Sequence, residues 1–277
     1  MSGLVSNHPE ISESYWLADE DIAAFRHNGH ILLKGVASPS EIAYYQPYIT
    51  AAVNRFNTEQ RPIAERDTYG KAFLQIMNLW VRDDAVRRFT LARRFARIAA
   101  DLMGVSGIRI YHDQALYKEP GGGFTPWHQD QYYWPVDTDH TVTLWMPLID
   151  VTPEMGMMVF ASGSQDAGYI EDLPISDKSE QVFQQFVRDR GYPLSRPRAM
   201  TAGDATFHRG WTLHCASENK TTLTREVMTI IYVADGSHAL KPDNPNRVHD
   251  LADWMPGVKP GDLIASPLNP RVYPIAE

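Results

Sequence analysis

The pattern of this sequence changes at Gly104, and that change limits the possible folds more than any other feature. From there the chain consists of short β-rich runs separated by turn residues: GIRIYHDQALYK, HTVTLWMPLI, GMMVFAS, AGDATFHRGWTLHCAS and REVMTIIYVAD. They do not alternate regularly with helices, as the strands of a parallel sheet would. We therefore predict a mainly β protein with flanking α-helices, built as a sandwich or jelly roll.

The residues before Gly104 have helical patterns instead. Gly29 is suited to end a helix in the left-handed conformation, and Ser38, Pro39 and Glu41 form the start signal of a second helix. A short strand, 30–34, is expected between them. The predicted helices cover residues 19–28, 39 to about 56, 84–103 and, as an insert in the β-rich part, 177–190, where Gly191 ends the helix.

Length and composition support a single domain. The chain has 277 residues, of which 43% are hydrophobic, and its composition does not shift along the sequence. We predict one domain over residues 1–277, with a helical part at 1–104, a β core at 105–235 and a loop-rich tail at 236–277.

Charge and cysteine content argue against several classes of protein. The formal net charge of −8 disfavours a nucleic-acid partner. No apolar run is long enough to cross a bilayer, and the first residues lack the pattern of a signal peptide. The only cysteine, Cys215, cannot form an internal disulfide. We expect a cytoplasmic protein without a membrane segment.

The arginine-rich stretch from Val86 to Arg97 is the one candidate for a nucleic-acid surface. Helical spacing sorts its apolar and basic residues onto two faces, which is typical of an ordinary solvated helix. The apolar face is predicted to contain Leu91, Phe95, Ile98 and Leu102, and the basic face Arg93, Arg94 and Arg97.

A possible metal site lies in the stretch PWHQDQYYWP. If this stretch is a strand, His128 and Asp130 project from the same face. His214 has the best context for a third ligand. His208 is its rival, but the favoured interpretation of His208 is a strand histidine satisfied by a neighbouring group. Cys215 would point to the opposite face. Two histidines and one carboxylate that leave open positions are typical of non-haem Fe(II) oxygenases, although three such ligands also suit a catalytic zinc.

Arg225 is a candidate for binding a carboxylate. It opens the strand REVMTIIYV at one end of an apolar row and follows His214 by eleven residues. An arginine in an apolar pocket can bind the far carboxylate of a 2-oxo acid through two hydrogen bonds. A strand-end arginine that reaches solvent, or pairs with Glu218 or Glu226, is the alternative.

From Leu17 to Val233 the chain resembles the phytanoyl-CoA dioxygenase family of Fe(II)- and 2-oxoglutarate-dependent oxygenases. The likeness rests on YHDQALYKEPGGGFTPWHQDQYYWP, on AGDATFHRGWTLHCASEN and on the arginine that follows. It implies a double-stranded β-helix, a jelly-roll variant, and the use of O2 with 2-oxoglutarate as co-substrate. The residues it implicates are His128, Asp130 and His214 as iron ligands, Arg225 on the 2-oxoglutarate carboxylate, and Gln114 and Trp145 along the co-substrate pocket.

Two comparisons refine the expected reaction. Some relatives carry a serine two residues after the second histidine, where this chain has Ala216 followed by Ser217. Halogenating relatives replace the carboxylate ligand by a small residue, whereas this chain keeps Asp130. The resemblance therefore implies hydroxylation or another oxidative outcome, such as cyclisation, epimerisation or desaturation, and disfavours halogenation.

A bulky, flat small molecule is the expected substrate. The sequence shows no basic cluster suited to coenzyme A, which favours a natural-product intermediate, as in antibiotic biosynthesis, over an acyl-CoA. The insert 166–195 and the tail are candidate lids. Aromatic and apolar residues that could form a pocket wall are Met77, Trp80, Tyr132, Trp134 and Trp211.

Two other functions fit part of the same pattern. A zinc-dependent hydrolase could use His128, Asp130 and His214, but it leaves Arg225 without a role. A jelly-roll binding protein without catalytic activity is the third possibility. The sequence leaves the oligomeric state open.

Overall fold

Seven α-helices and eleven strands form the part of the chain, residues 8–274, that the computed structural model describes. The helices are α1 Asp19–Asn28, α2 Pro39–Phe56, α3 Thr68–Ala72, α4 Asp84–Thr90, α5 Arg93–Met103, α6 Asp177–Arg190 and α7 Pro245–Trp254. The strands are β1 His30–Leu33, β2 Leu74–Met77, β3 Ile108–Tyr117, β4 Thr125–His128, β5 Thr141–Pro147, β6 Met158–Ala161, β7 Leu194–Ser195, β8 Ala205–Arg209, β9 His214–Ala216, β10 Val227–Ala234 and β11 Arg271–Tyr273.

Local capping signals determine three of the helices, as the sequence predicted. Gly29 ends α1 with a φ of 76°, which lies in the left-handed region that favours glycine. At the start of α2 the Glu41 amide donates to Ser38 Oγ over 3.2 Å, and the Ser38 amide donates to Glu41 Oε2 over 2.7 Å. Helix α6 ends at Gly191, also left-handed.

The predicted helix over 84–103 is wrong in one respect, because it is two helices. Ala92 has an extended backbone (ψ 126°) and separates α4 from α5. Arg94 does not belong to the solvated face either: it is buried, and its Nη1 lies 2.7 Å from Glu41 Oε2. The Glu41 carboxylate compensates the buried charge, a contact between two helices that spacing alone does not reveal.

The strands form two antiparallel sheets. The larger sheet has the order β1-β8-β5-β10-β3-β11, with β2 also paired to β3, and the smaller sheet has the order β4-β9-β6-β7. With helices packed outside the larger sheet, this arrangement confirms the predicted mainly β jelly-roll class with flanking α-helices.

Strand alternation separates core residues from cavity residues in the larger sheet. In β5, Val142, Leu144 and Met146 join the hydrophobic core beneath the helices. Thr143 and Trp145 point the other way and line a cavity that also receives residues from the smaller sheet. Period-two alternation thus places the polar residues of the site between the two sheets.

The tail is more regular than predicted. It contains α7, whose first turn is capped by Asn244: its Oδ1 accepts from the Arg247 amide over 2.9 Å. None of the helices within residues 8–274 has both the length and the apolar character required to cross a bilayer.

Candidate metal centre

His128 and Asp130 converge, although not through the predicted strand. Strand β4 ends at His128, and Asp130 begins a 3-10 turn that continues to Tyr132. Gln129 between them has an extended backbone, so the two side chains still meet: His128 Nε2 lies 3.3 Å from Asp130 Oδ1. The assumption that the whole stretch PWHQDQYYWP is a strand therefore does not hold.

His214 joins this pair from the neighbouring strand. It lies directly opposite His128 in the β4–β9 ladder, and its Nε2 is 3.5 Å from Asp130 Oδ1. One ligand atom from each of the three residues fits within 4.8 Å. This is the two-histidine, one-carboxylate set that the sequence predicted, whereas Cys215 packs on the opposite face of β9.

Backbone carbonyls orient both histidine rings. His128 Nδ1 lies 2.7 Å from the Pro126 carbonyl oxygen, and His214 Nδ1 lies 2.9 Å from that of Thr212. A carbonyl can only accept, so each Nδ1 carries the proton and each Nε2 lone pair is free. Burial, and then repulsion from His128, hold the pKa of His214 well below its usual value. Its neutral form is the one that ligates a metal.

The second oxygen of Asp130 is already occupied. Asp130 Oδ2 accepts from Thr143 Oγ1 over 2.9 Å and lies 3.1 Å from His208 Nε2. These two contacts to Oδ2 favour the ionised form of the carboxyl group. Asp130 is thus an anion with Oδ1 directed at His128 and His214.

His208 therefore lies beside the triad, against Asp130, and is not one of its three members. The sequence favoured a strand histidine satisfied by a neighbouring group, and that group is the carboxylate of Asp130. Sequence reasoning missed Thr143. Its position two residues before Trp145 in β5 was the available signal, because both face the cavity.

Arg225 lies in the same cavity as a buried cation without an anion. Only 1% of its surface is exposed, and its Nη1 donates to the Gly156 carbonyl. Its Nε has no hydrogen-bond partner among residues 8–274, and no carboxylate in that part of the chain forms an ion pair with it. Burial lowers its pKa to about 9. The expected alternatives, a solvent contact or a pair with Glu218 or Glu226, do not occur.

The other two residues implicated in the co-substrate pocket also line this cavity. The Arg225 guanidinium carbon lies 5.3 Å from the centre of the Trp145 ring. Gln114 Oε1 accepts from Gln75 Nε2 over 2.5 Å. Ala216 faces the cavity while Ser217 is exposed, so the serine hydroxyl found in some relatives has no replacement from Ser217.

The cavity has a volume of about 430 Å³ and contains only part of the predicted pocket wall. Met77 and Trp134 line it. Trp80, Tyr132 and Trp211 are not among the residues that line this cavity, so that part of the predicted wall does not match it. Their hydrogen-bond partners are Asn78 for Trp80, Asp172 for Tyr132 and Asp139 for Trp211. Tyr133 takes the place of Tyr132, because the 3-10 turn changes which side chain faces inward.

Both predicted lid segments reach the cavity. The insert contributes Pro174 and Ile175, and Glu180 of α6 accepts from the Trp127 amide over 2.9 Å beside the triad. From the tail, α7 adds four lining residues: Asn246, His249, Asp250 and Trp254. Closure of these segments over a substrate stays a prediction.

Known proteins resemble this chain in sequence and fold. The probable alpha-ketoglutarate-dependent hypophosphite dioxygenase of Stutzerimonas stutzeri is 24% identical over 168 residues, and the match covers 59% of this chain but only 58% of that protein. The carbocyclase SnoK from nogalamycin biosynthesis has a TM-score of 0.74 at 22% identity, over 92% of this chain and 96% of SnoK.

A second solved structure has nearly the same likeness. The epimerase SnoN in complex with Fe3+, alpha ketoglutarate and nogalamycin RO has a TM-score of 0.73 at 23% identity, over 92% of this chain and 98% of SnoN. At such identities these likenesses establish the fold. The family model for phytanoyl-CoA dioxygenase (PhyH) matches residues 25–227, well over half of the chain. The chain therefore belongs to the phytanoyl-CoA dioxygenase family.

Proposed function

We propose that this protein is an Fe(II)- and 2-oxoglutarate-dependent oxygenase that acts on an unactivated C–H bond of a bulky small molecule. One observation carries the proposal. Three residues that could hold a metal ion share one cavity with a buried arginine that has no carboxylate partner among residues 8–274. The triad alone suits several metals, but the arginine also requires an anionic ligand, which a 2-oxo dicarboxylate supplies.

Each residue has a defined task in this proposal. His128 and His214 would hold the metal through Nε2, and Asp130 through Oδ1. Arg225 would bind the far carboxylate of 2-oxoglutarate, and the buried ring of Trp145 shields that ion pair from water. When bound, iron with 2-oxoglutarate and O2 supplies the oxidising chemistry that cleaves the C–H bond, and succinate and CO2 are released.

The finer assignment is a natural-product substrate, as in antibiotic biosynthesis. SnoK and SnoN belong to nogalamycin biosynthesis, and both align over most of this chain. The cavity of about 430 Å³, with aromatic residues at its outer end, supports a substrate larger than an amino acid. Asp130 occupies the position that a halogenase would keep small. Hydroxylation, cyclisation, epimerisation and desaturation are all compatible with this ligand set.

An anaerobic titration tests the proposal. Fe(II) and then 2-oxoglutarate are added to the metal-stripped protein, and the weak visible charge-transfer band of a chelated 2-oxo acid is recorded. We expect the band in the wild type, its loss in His128→Ala, and a much higher requirement for 2-oxoglutarate in Arg225→Ala. Tight zinc binding without such a band would instead favour a hydrolase. Metal-independent ligand binding that survives Asp130→Ala would favour a binding protein.

A further inference from the structure

The outer end of the cavity is built by the middle of β3 and by α7. The ladder between β3 and β10 shifts register at Tyr111, because Ile231 pairs with His112 while Tyr232 pairs with Ile110. Such a bulge directs two consecutive side chains to the same side of a sheet. The rings of Tyr111 and His112 accordingly lie 5.1 Å apart between centres, and both reach α7.

Asp250 of α7 is the polar group that these rings surround. Tyr111 donates its hydroxyl hydrogen to Asp250 Oδ2 over 2.8 Å. The Asp250 side chain is buried and lines the cavity. Burial raises its pKa to about 7 despite hydrogen bonds from Tyr111 and Trp254, and no cation is among the groups that lower this pKa. A bound cation would stabilise the charged form.

Apart from Arg225, the described residues that line the cavity supply no cationic partner for Asp250. Among the described lining residues only Asp130, Arg225 and Asp250 carry a formal charge besides the histidines. Metal binding occupies Asp130, and 2-oxoglutarate occupies Arg225. The nearby Arg247 does not line the cavity: it pairs with Asp243 and donates to the Gln131 and Tyr132 carbonyls.

The two histidines at the outer end do not supply a cation. Burial lowers the pKa of His112 to about 3, and its Nδ1 has no hydrogen-bond partner within residues 8–274. His249 Nδ1 lies 3.3 Å from Asp253, so any positive charge on this ring already has a carboxylate. Once metal and co-substrate are bound, the remaining charge at this end is negative.

Aromatic rings complete the outer end. Tyr133, Trp134 and Trp254 line the cavity there; Trp134 packs 5.5 Å from Tyr111, and Trp254 packs 5.7 Å from His112, between ring centres. Aromatic faces beside a carboxylate bind organic ammonium groups, because each ring face is a region of negative potential. Anionic groups gain nothing from this lining.

We infer that the outer end of the cavity binds a protonated amine on the substrate, with Asp250 as its carboxylate partner and the tryptophan rings around it. This inference rests on the proposed function for the assignment of Asp130 and Arg225, and it narrows the substrate class to amine-bearing molecules. It disfavours substrates whose outer part is a phosphonate, a phosphate or a carboxylate.

Matched probe pairs test the inference by binding rather than turnover. The pairs are 2-phenylethylamine with 2-phenylethanol, and the corresponding naphthyl compounds, so that only the charge changes. Binding to the full chain is measured by calorimetry and by quenching of tryptophan fluorescence, with 2-oxoglutarate present and with or without Co(II) under anaerobic conditions. We expect the amine to bind about tenfold tighter than the alcohol or more.

Two substitutions on α7 separate local recognition from general charge effects. Asp250→Asn keeps an acceptor for Tyr111 but removes the charge, and we expect it to abolish the amine preference. Asp253→Asn removes an equal charge from a half-exposed residue that does not line the cavity, and we expect the preference to persist. The wild-type comparison alone remains decisive if Asp250→Asn does not fold.

The possible outcomes distinguish failure of this inference from failure of the proposed function. Equal affinity for amine and alcohol across both pairs, including no measurable binding of either, would overturn the inference, as would an undiminished preference in Asp250→Asn. The charge-transfer band of the iron–2-oxoglutarate complex would be unaffected by that failure. An amine preference in a protein that lacks this band would overturn the oxygenase assignment and leave the amine site standing.

Discussion

Replacing Arg225 by methionine should make the protein more stable and at the same time weaken its binding of 2-oxoglutarate. Arg225 is buried, and in the described part of the chain it has neither a carboxylate partner nor a hydrogen bond to Nε. The buried charge of Arg225 therefore lowers the free energy of unfolding. Methionine has a similar length and no charge, so Arg225→Met fills the same space without that cost.

The size of the effect follows from the desolvation of the guanidinium. Burial lowers the pKa of Arg225 from 12.5 to about 9, which corresponds to about 5 kcal/mol at about 1.4 kcal/mol per pH unit. The substitution also removes the hydrogen bond to the Gly156 carbonyl and the contact with Trp145. We expect a net gain of about 1–3 kcal/mol in the free energy of unfolding.

Urea unfolding followed by circular dichroism measures both the change in stability and the change in 2-oxoglutarate binding. Without ligands, Arg225→Met should unfold at a higher urea concentration than the wild type. Adding 2-oxoglutarate with Co(II) at about 100 times the wild-type Kd should stabilise the wild type by about 2.7 kcal/mol. The variant should gain far less, since loss of a buried charge partner weakens binding by about 2–5 kcal/mol.

Arg94 provides a matched control. It is also a buried arginine, but Glu41 neutralises it at 2.7 Å. Arg94→Met leaves that carboxylate unpaired and should destabilise the protein by about 3–5 kcal/mol. If Arg225→Met were destabilised to a similar extent and kept its affinity for 2-oxoglutarate, Arg225 would be a structural residue, and our reading of the site would be wrong.

Three further predictions concern other buried groups. Burial lowers the pKa of Lys118 from 10.5 to about 6. Between these pH values only the unfolded chain binds the Lys118 proton, so the stability of the wild type should rise with pH. If urea titrations gave the same pH dependence for Lys118→Met as for the wild type, this prediction would be contradicted. Thr143→Val and His208→Phe each remove one of the two contacts of Asp130 Oδ2 and should weaken Co(II) binding, followed by its visible absorption, by about 10–100-fold; unchanged affinity would argue against orientation through Oδ2. Ser38→Ala removes the α2 cap and should cost about 1 kcal/mol in thermal unfolding, and an unaltered Tm would show that the cap is dispensable.

Local signals predicted much of the fold because they act over a few residues. The boundaries of α1 and α6 follow from the glycines after them, and that of α2 from the capping box at Ser38. The break between α4 and α5 was missed because apolar spacing continues across it. Arg94 was assigned to the wrong environment because its partner, Glu41, lies 53 residues away in the chain.

Some features of the candidate site were likewise predictable from the sequence, and others were not. The placement of His128, Asp130, His214 and Arg225 around one cavity was predictable, since residue type and spacing together resemble one family. The backbone conformation at Asp130 was not predictable, because a 3-10 turn replaces the expected strand and directs Tyr133 rather than Tyr132 into the cavity. The helix in the tail was also missed, and with it Asp250.

The sequence by itself determined which groups are available: two histidines and an aspartate for the proposed metal site, an arginine proposed to bind a carboxylate, and strands whose alternation directs them to one face. The tertiary structure alone decided which groups neutralise one another. Glu41 neutralises Arg94, whereas Arg225 has no anion in the described chain, and Thr143 and His208 hold one oxygen of Asp130. The physical reason is that a buried charge is stabilised only by atoms within a few ångströms, and chain folding brings those atoms from distant positions.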